Sequence, residues 1–221
     1  MERVIVLKIT WLGHSCFKIE DGSGKVVVTD PFDEAVGYPH PKVKADVVTV
    51  SHDHHDHNHV AAIGGKPEVV RGPGKKAAAG IEFEGIATYH DEKGGRLRGK
   101  NTIFSFEMDG VRICHMGDLG HQLGEKEAAA LGDVDVLMIP VGGVYTLDAE
   151  GAKKVVGQIK PKVVIPMHFM TPALTFQIDP PDRFLSGQRV ERPGHTFAVS
   201  KERLPKGGEG EEPVIVLLDY K

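Results

Sequence analysis

Nine consecutive residues, Ser51-His52-Asp53-His54-His55-Asp56-His57-Asn58-His59, carry five imidazoles and two carboxylates. They follow an apolar run, Ala45-Asp46-Val47-Val48-Thr49-Val50, that has the composition of a buried strand. Inside them lies the pattern His-x-His-x-Asp-His, formed by His52, His54, Asp56 and His57. In extended chain, residues two apart project to the same side, so His52 and His54 can grip one metal ion together. Asp56 and His57 come where the chain turns out of the strand and can face a second ion beside the first. Imidazole nitrogen and carboxylate oxygen suit zinc and related first-row divalent ions; manganese or iron also fits this donor set. Solvation alone is a poor explanation for so many histidines in so short a stretch.

A two-metal site needs more groups than one loop supplies, and three further residues stand at the ends of apolar runs. His90 ends the run over residues 81–89, Asp118 follows His115-Met116-Gly117, and His168 follows Val163-Val164-Ile165-Pro166-Met167. His52, His54 and His90 make one set of ligands; Asp56, His57 and His168 make another, with Asp118 between them. Two dications about 3.5–4 Å apart repel strongly unless anions lie between them. Asp56, Asp118 and a bridging hydroxide together leave about one positive charge on such a cluster, which favours an anionic small-molecule substrate such as a phosphoester or carboxylate.

The elements that must position these groups are mostly short strands. Residues 4–9, 14–19 and 26–29 read as the first three, and Asn58 is placed to cap a short helix ending at Gly64-Gly65. Strands are expected over 81–88, 102–108, 111–115, 136–139, 163–165, 196–199 and 214–218, the last two separated by a Gly/Glu-rich turn at 207–212. Helices are expected over 125–131 and where Ala149, Ala152, Val155, Val156 and Ile159 recur at helical spacing before Pro161. A short helix is also expected near Arg183-Phe184-Leu185. Many strands and few helices predict two sheets packed face to face with helices outside. With 221 residues, 40% hydrophobic and 26% charged, the sequence fits one soluble domain over residues 1–221.

A formal net charge of -4 argues against a nucleic-acid binder that relies on a broad basic field. Cys16 and Cys114 lack CxxC spacing and read as buried and reduced. No apolar run approaches a membrane span, so no membrane association is expected and the cytoplasm is the default location. A homo-oligomer is compatible with the sequence.

These motifs are similar to those of a known family. His52-x-His54-x-Asp56-His57, His90, Gly117-Asp118 and Pro166-Met167-His168 resemble the five-part signature of the metallo-β-lactamase fold superfamily. Trp11-Leu12-Gly13-His14-Ser15, Thr29-Asp30-Pro31-Phe32, His115-Met116-Gly117-Asp118 and Pro140-Val141-Gly142-Gly143 look like its small metal-dependent hydrolase branch, which includes ascorbate-6-phosphate lactonases. The likeness covers nearly the whole chain and weakens after Thr171. It implies a four-layer αββα sandwich with mixed sheets, the same seven ligands, and Asp30 as the partner that orients a ligating imidazole. Asp118 stands where class B1 and B2 lactamases carry cysteine, so antibiotic hydrolysis is not expected.

Among the remaining histidines, His55 and His59 should point away from the metals, and His115 should be buried behind the site. His14 and His121 are expected at the pocket wall, binding substrate or giving a proton to the leaving group. Tyr145 and Thr146 are expected near the mouth. The reading that follows is a hydrolase in which a metal-bound water, its pKa lowered toward about 7, attacks an ester-type bond of a phosphodiester, phosphoester or lactone, with Asp56 orienting it. The same ligands could instead hold two irons for redox chemistry, or serve a non-catalytic metal sensor.

Overall fold

The computed structural model describes residues 6–206 and 212–220. Val4 and Ile5 of the expected first strand, and most of the expected 207–212 turn, lie outside the described residues. No helix among the described residues is long and apolar enough to cross a membrane.

The chain opens with an antiparallel meander of β1 (Leu7–Gly13), β2 (Cys16–Glu20) and β3 (Val26–Thr29). Asp21 closes the second turn, its Oδ1 accepting from the N–H groups of Ser23 and Lys25. β4 (Lys44–Val50) and β5 (Gly64–Arg71) then add in parallel. The second sheet begins antiparallel with β6 (Gly74–Ala78), β7 (Ile81–Tyr89), β8 (Lys100–Met108) and β9 (Val111–His115). Beyond α1 (Glu125–Leu131) it turns parallel: β10 (Val136–Pro140), α2 (Ala149–Ile159) and β11 (Val163–Met167) form a β-α-β unit. α3 (Asp182–Leu185), β12 (Val190–Glu191), β13 (Thr196–Val199) and β14 (Val214–Val216) complete the chain. The strand orders are β13-β1-β2-β3-β4-β5 and β12-β14-β11-β10-β9-β8-β7-β6.

Burial explains these assignments. β10 and β11 are buried at every position, as strands covered on both faces are, and their sequences are continuous apolar runs. Leu7, Ile9, Trp11 and Phe17 of the first sheet share one core with Phe83, Phe106, Ile113 and Met138 of the second. α2 buries Ala149, Ala152 and Val155, and Asp148 caps it by accepting from the Gly151 N–H at 2.7 Å.

The two mixed sheets and outer layers form the expected sandwich, but the layer over the first sheet is thin. There Val28, Val48 and Val50 are covered by Phe32, Val36, Tyr38, Leu174 and Ile178, carried on loops and a 3-10 turn at Glu34–Val36. Prolines in these covering segments break helical periodicity. Asn58 caps no helix; the chain makes only a 3-10 turn at Val60–Ala62, after the His59 N–H is taken by Pro31 O. β5 and β6 have no counterpart in the sequence reading, because each buries a single residue and so shows no apolar period.

The consequence for function is directional. β1, β3 and β4 run one way through the first sheet. In the second, β7, β9, β10 and β11 share a direction. His14, Asp30, His52, His90, Asp118 and His168 all follow the carboxyl ends of these strands.

At the other end of the second sheet, the carboxylate of Asp135 accepts from the Arg112 N–H and Lys162 Nζ, each at 2.9 Å, and from Lys201 Nζ. Burial alone would raise its pKa; the Lys201 ammonium and the Arg112 N–H outweigh that and hold it below the usual carboxylate range. A depressed folded-state pKa stabilises the fold above the unfolded value of about 3.9, and the contribution disappears as pH falls through the folded value. Asp135→Asn should therefore cost about 1–2 kcal/mol at pH 7. In urea unfolding, the gap between wild type and variant should close as the pH is taken below 3.9.

Candidate metal centre

The cluster is built around one oxygen. Asp118 Oδ2 lies 3.0 Å from His90 Nε2, 3.2 Å from His57 Nε2, 3.3 Å from His168 Nε2 and 3.9 Å from His52 Nε2. Three of these rings are fixed by an acceptor at Nδ1. His57 donates to Asp30 Oδ2 at 2.8 Å, His90 to the Tyr145 carbonyl at 3.1 Å, and His52 to Ser51 Oγ at 2.9 Å. Ser51 Oγ in turn donates to Asp30, which also accepts the Ser51 N–H. With their protons on Nδ1, these rings turn Nε2 toward the carboxylate, where His57 can carry a second proton and His52 and His90 present lone pairs.

Lone pairs and a carboxylate oxygen at such distances repel unless positive charge lies between them. A proton can serve one of the four nitrogens, whereas divalent ions can serve them all. His57 Nε2 and Asp118 Oδ1 are buried without hydrogen-bond partners, which costs about 1–3 kcal/mol each. The donor set therefore fits metal. Its atoms form three overlapping groups: His52, His54 and His90; His14, Asp56, His57 and His168; and Asp30, His52 and His57. Asp118 Oδ2 contacts members of all three.

The electrostatics follow from burial and crowding. Burial, reinforced by His57, pushes His52 down to about 3; burial and His168 push His14 down to about 4. Neutral imidazole is the form that ligates. Burial also disfavours charge on His57, but Asp118 and Asp56 reverse this and raise its pKa well above the usual value. For Asp118, burial is outweighed by His168 and His57, which hold it well below the carboxylate range.

Backbone strain concentrates here. His14, Asp30, Val144 and His168 all have positive φ, at 51°, 38°, 57° and 49°. Such conformations cost about 1–3 kcal/mol each and persist where the surroundings impose them. Two glycines permit the close approach of the strand ends. A Cβ on Gly117 would lie 2.3 Å from Asn101 Oδ1 and 2.6 Å from Ser51 Cβ, and one on Gly142 would lie 2.2 Å from His168 O.

All seven expected ligands meet in this cluster, with Asp30 behind His57. His115 is buried: its Nε2 donates to Ser15 O at 2.8 Å and its Nδ1 accepts the Gly117 N–H, so it braces the loop that carries Asp118. His55 points to Asp33 at 3.1 Å. Two expectations are corrected. His14 is not at the pocket wall: it is 0% exposed, packed 4.2 Å from the His168 ring, and its Nε2 contacts Asp56 Oδ2 at 3.1 Å. It is placed to hold Asp56 and does not line the pocket. His121 also lies off the pocket, accepting the Tyr89 N–H at Nε2 and donating to Gln122 O at Nδ1.

The cluster floors a pocket of about 670 Å³ whose upper wall is Leu97, Arg98, Tyr145 and Phe176. The sequence reading placed Tyr145 near the mouth but passed over the other three. A signal was present after His90 in Asp91-Glu92-Lys93-Gly94-Gly95-Arg96-Leu97-Arg98. The Asp91 carboxylate accepts the N–H groups of Lys93, Gly95, Leu97 and Arg98 and so organises the whole loop. Phe176 had no signal; it arrives from beyond β11 to meet the His14 ring at 5.7 Å.

Comparison with known proteins agrees with this geometry. Residues 8–168 match the model of the beta-lactamase superfamily domain. A metal-dependent hydrolase of Thermoplasma acidophilum is 34% identical over 75% of this chain and 84% of its own length. One from Archaeoglobus fulgidus is 33% identical over 80% and 88%. The crystal structure of a candidate Zn-dependent hydrolase of the metallo-β-lactamase superfamily from Thermotoga maritima superposes with a TM-score of 0.78. It is 40% identical and covers 96% of this chain and 98% of its own. All three are named as hydrolases.

The contact at Gly117 is open to direct test. Gly117→Ala combines a left-handed φ with a clash against Ser51 and Asn101, and should lower the unfolding free energy by about 2–4 kcal/mol. Denaturant titration reads the loss, and zinc binding by the surviving folded protein should weaken in parallel as Asp118 shifts.

Proposed function

This chain belongs to the metallo-β-lactamase superfamily and is a metal-dependent hydrolase, and from that premise we propose that it cleaves an ester-type bond in an anionic small molecule, a phosphoester, phosphodiester or lactone, using two zinc ions. The observation that carries the reading is the convergence of four imidazole Nε2 atoms on Asp118 Oδ2, 3.0–3.9 Å away.

His52, His54 and His90 would hold one ion, Asp56, His57 and His168 the other, and Asp118 would bridge them. Manganese or iron would fit the same donors. Bound there, the ions supply a nucleophile from water at neutral pH and stabilise negative charge developing on oxygen.

The rest is done by the protein. Asp56 lines the pocket, and its Oδ2 is held by His14, so its carboxylate is aimed and can orient the attacking water. Asp30 and the Tyr145 carbonyl fix the His57 and His90 rings at Nδ1, which keeps Nε2 available for the metal. The His115 and Asn101 side chains accept the N–H groups of Gly117 and Asp118, holding the bridging carboxylate in register. Cys16 and Cys114 are buried and unpaired, which suits a reducing compartment such as the cytoplasm.

Replacement of the proposed ligands tests this directly. Asp118→Ala and His168→Ala should each lose bound zinc by elemental analysis and lower kcat/KM by about 100-fold or more on any phosphodiester, phosphomonoester or lactone that the wild type turns over. Inorganic phosphate should compete with substrate. Full activity of Asp118→Ala with two metals bound would refute the bridging role.

A further inference from the structure

Two dications balanced only by Asp56, Asp118 and a hydroxide would keep an excess positive charge, and hence an affinity for anions. Asp30 removes that excess. It is completely buried and accepts from the Ser51 N–H, Ser51 Oγ and His57 Nδ1, so it adds one more negative charge beside the cluster. Selection of an anion then has to come from elsewhere in the pocket.

Among the lining residues, Arg98 alone is a lysine or arginine. Arg71, Arg112 and Arg189 sit in ion pairs with Asp53, Glu107 and Glu191, while Arg96, Arg183, Arg192 and Arg203 make none among the described residues and lie outside the pocket. Arg98 makes no ion pair among the described residues. Its Nη2 donates to the Val144 carbonyl at 3.0 Å, and its guanidinium lies 5.4 Å from the centre of the Tyr145 ring. Its other donors have no protein acceptor among the described residues. The partly exposed side chain is thus oriented by two contacts at the surface, and its remaining donors face solvent, where a ligand can take them.

The position is built. Asp91 accepts the backbone N–H of Arg98 at 2.8 Å, and three others of the same loop, immediately after His90. His90 Nδ1 and Arg98 Nη2 engage successive carbonyls, Tyr145 and Val144, so the two loops are tied together at the metal cluster. Around the guanidinium the wall is apolar: Leu97 is 67% exposed and Tyr145 39% exposed, and Phe176 meets the Tyr145 ring edge-on at 5.9 Å. Large apolar side chains left exposed beside a fixed cation describe a surface awaiting a ligand with both characters.

We propose that Arg98 anchors an anionic group of the substrate while Leu97, Tyr145 and Phe176 take its apolar portion, so that the substrate is an amphiphilic anion carrying its charge away from the bond that is cleaved. The assignment rests on the hydrolase reading for the chemistry, but the anchor itself is a binding property.

Two esters with the same leaving group and chain length separate the terms: mono-4-nitrophenyl adipate, which carries a remote carboxylate too distant for ready attack on its own ester, and neutral 4-nitrophenyl hexanoate. The zinc-loaded wild type should prefer the adipate ester. Arg98→Gln should cut the ratio of the two kcat/KM values by about tenfold, mainly through KM, with Arg98→Lys in between. Calorimetry without turnover gives the second arm. The wild type should bind 4-phenylbutyrate more tightly than 4-phenylbutan-1-ol, and Arg98→Gln should lose that difference. If Arg98→Gln slows both esters by one factor and keeps the calorimetric preference, Arg98 only ties the loops together and the anchor is refuted. If the wild type cleaves neither ester, carboxylic esters are removed from the proposed substrates while phosphoesters stand, and the calorimetric difference alone decides the anchor.

Discussion

A carboxylate oxygen ringed by imidazole lone pairs cannot be satisfied by neutral hydrogen bonds. In water the Asp118 carboxylate would be solvated, and each histidine would turn to offer a proton. Here Asp118 is buried, and the rings around it are held from behind by Asp30, Ser51 and the Tyr145 carbonyl. The protein spends its hydrogen bonds on Nδ1 so that Nε2 is left facing an anion. Such an arrangement is stable only when cations complete it, which links the fold to metal more firmly than the number of histidines does.

Holding that geometry places demands on the backbone. The clustered side chains arrive from both sheets, at the carboxyl ends of strands that run in common directions, and the chain turns close to each. Positive φ at His14, Asp30 and His168 is the local cost of aiming side chains inward while the chain turns away. Gly117 and Gly142 let neighbouring strand ends approach more closely than any side chain would allow. The packed core between the sheets supplies the rigidity that makes such strain tolerable.

The pocket above the cluster has a division of labour. Its floor is carboxylate and imidazole, and its wall is aromatic and aliphatic around a single guanidinium. The loop organised by Asp91 belongs to both, since it leaves His90 at one end and presents Leu97 and Arg98 at the other. The pocket wall and His90 are thus joined by a few hydrogen bonds.

The sequence alone indicated which side chains gather at the floor. The His-x-His-x-Asp-His spacing, and His90, Asp118 and His168 at the ends of apolar runs, were legible because buried strands leave long hydrophobic tracts and metal ligands are rare residue types in dense clusters. The central strands and α2 were legible for the same reason. The edge strands β5 and β6 were not, since an edge buries too little to impose a period. Only the tertiary structure decided the rest: His14 lies behind Asp56, His121 is tied to Tyr89 and Gln122, and Asp30 belongs in the cluster's charge balance. Leu97, Arg98 and Phe176 reach the wall from segments with no apolar period. Ligation is written in residue type and spacing, whereas a side chain's exposure and the direction it faces depend on what other parts of the chain bring against it.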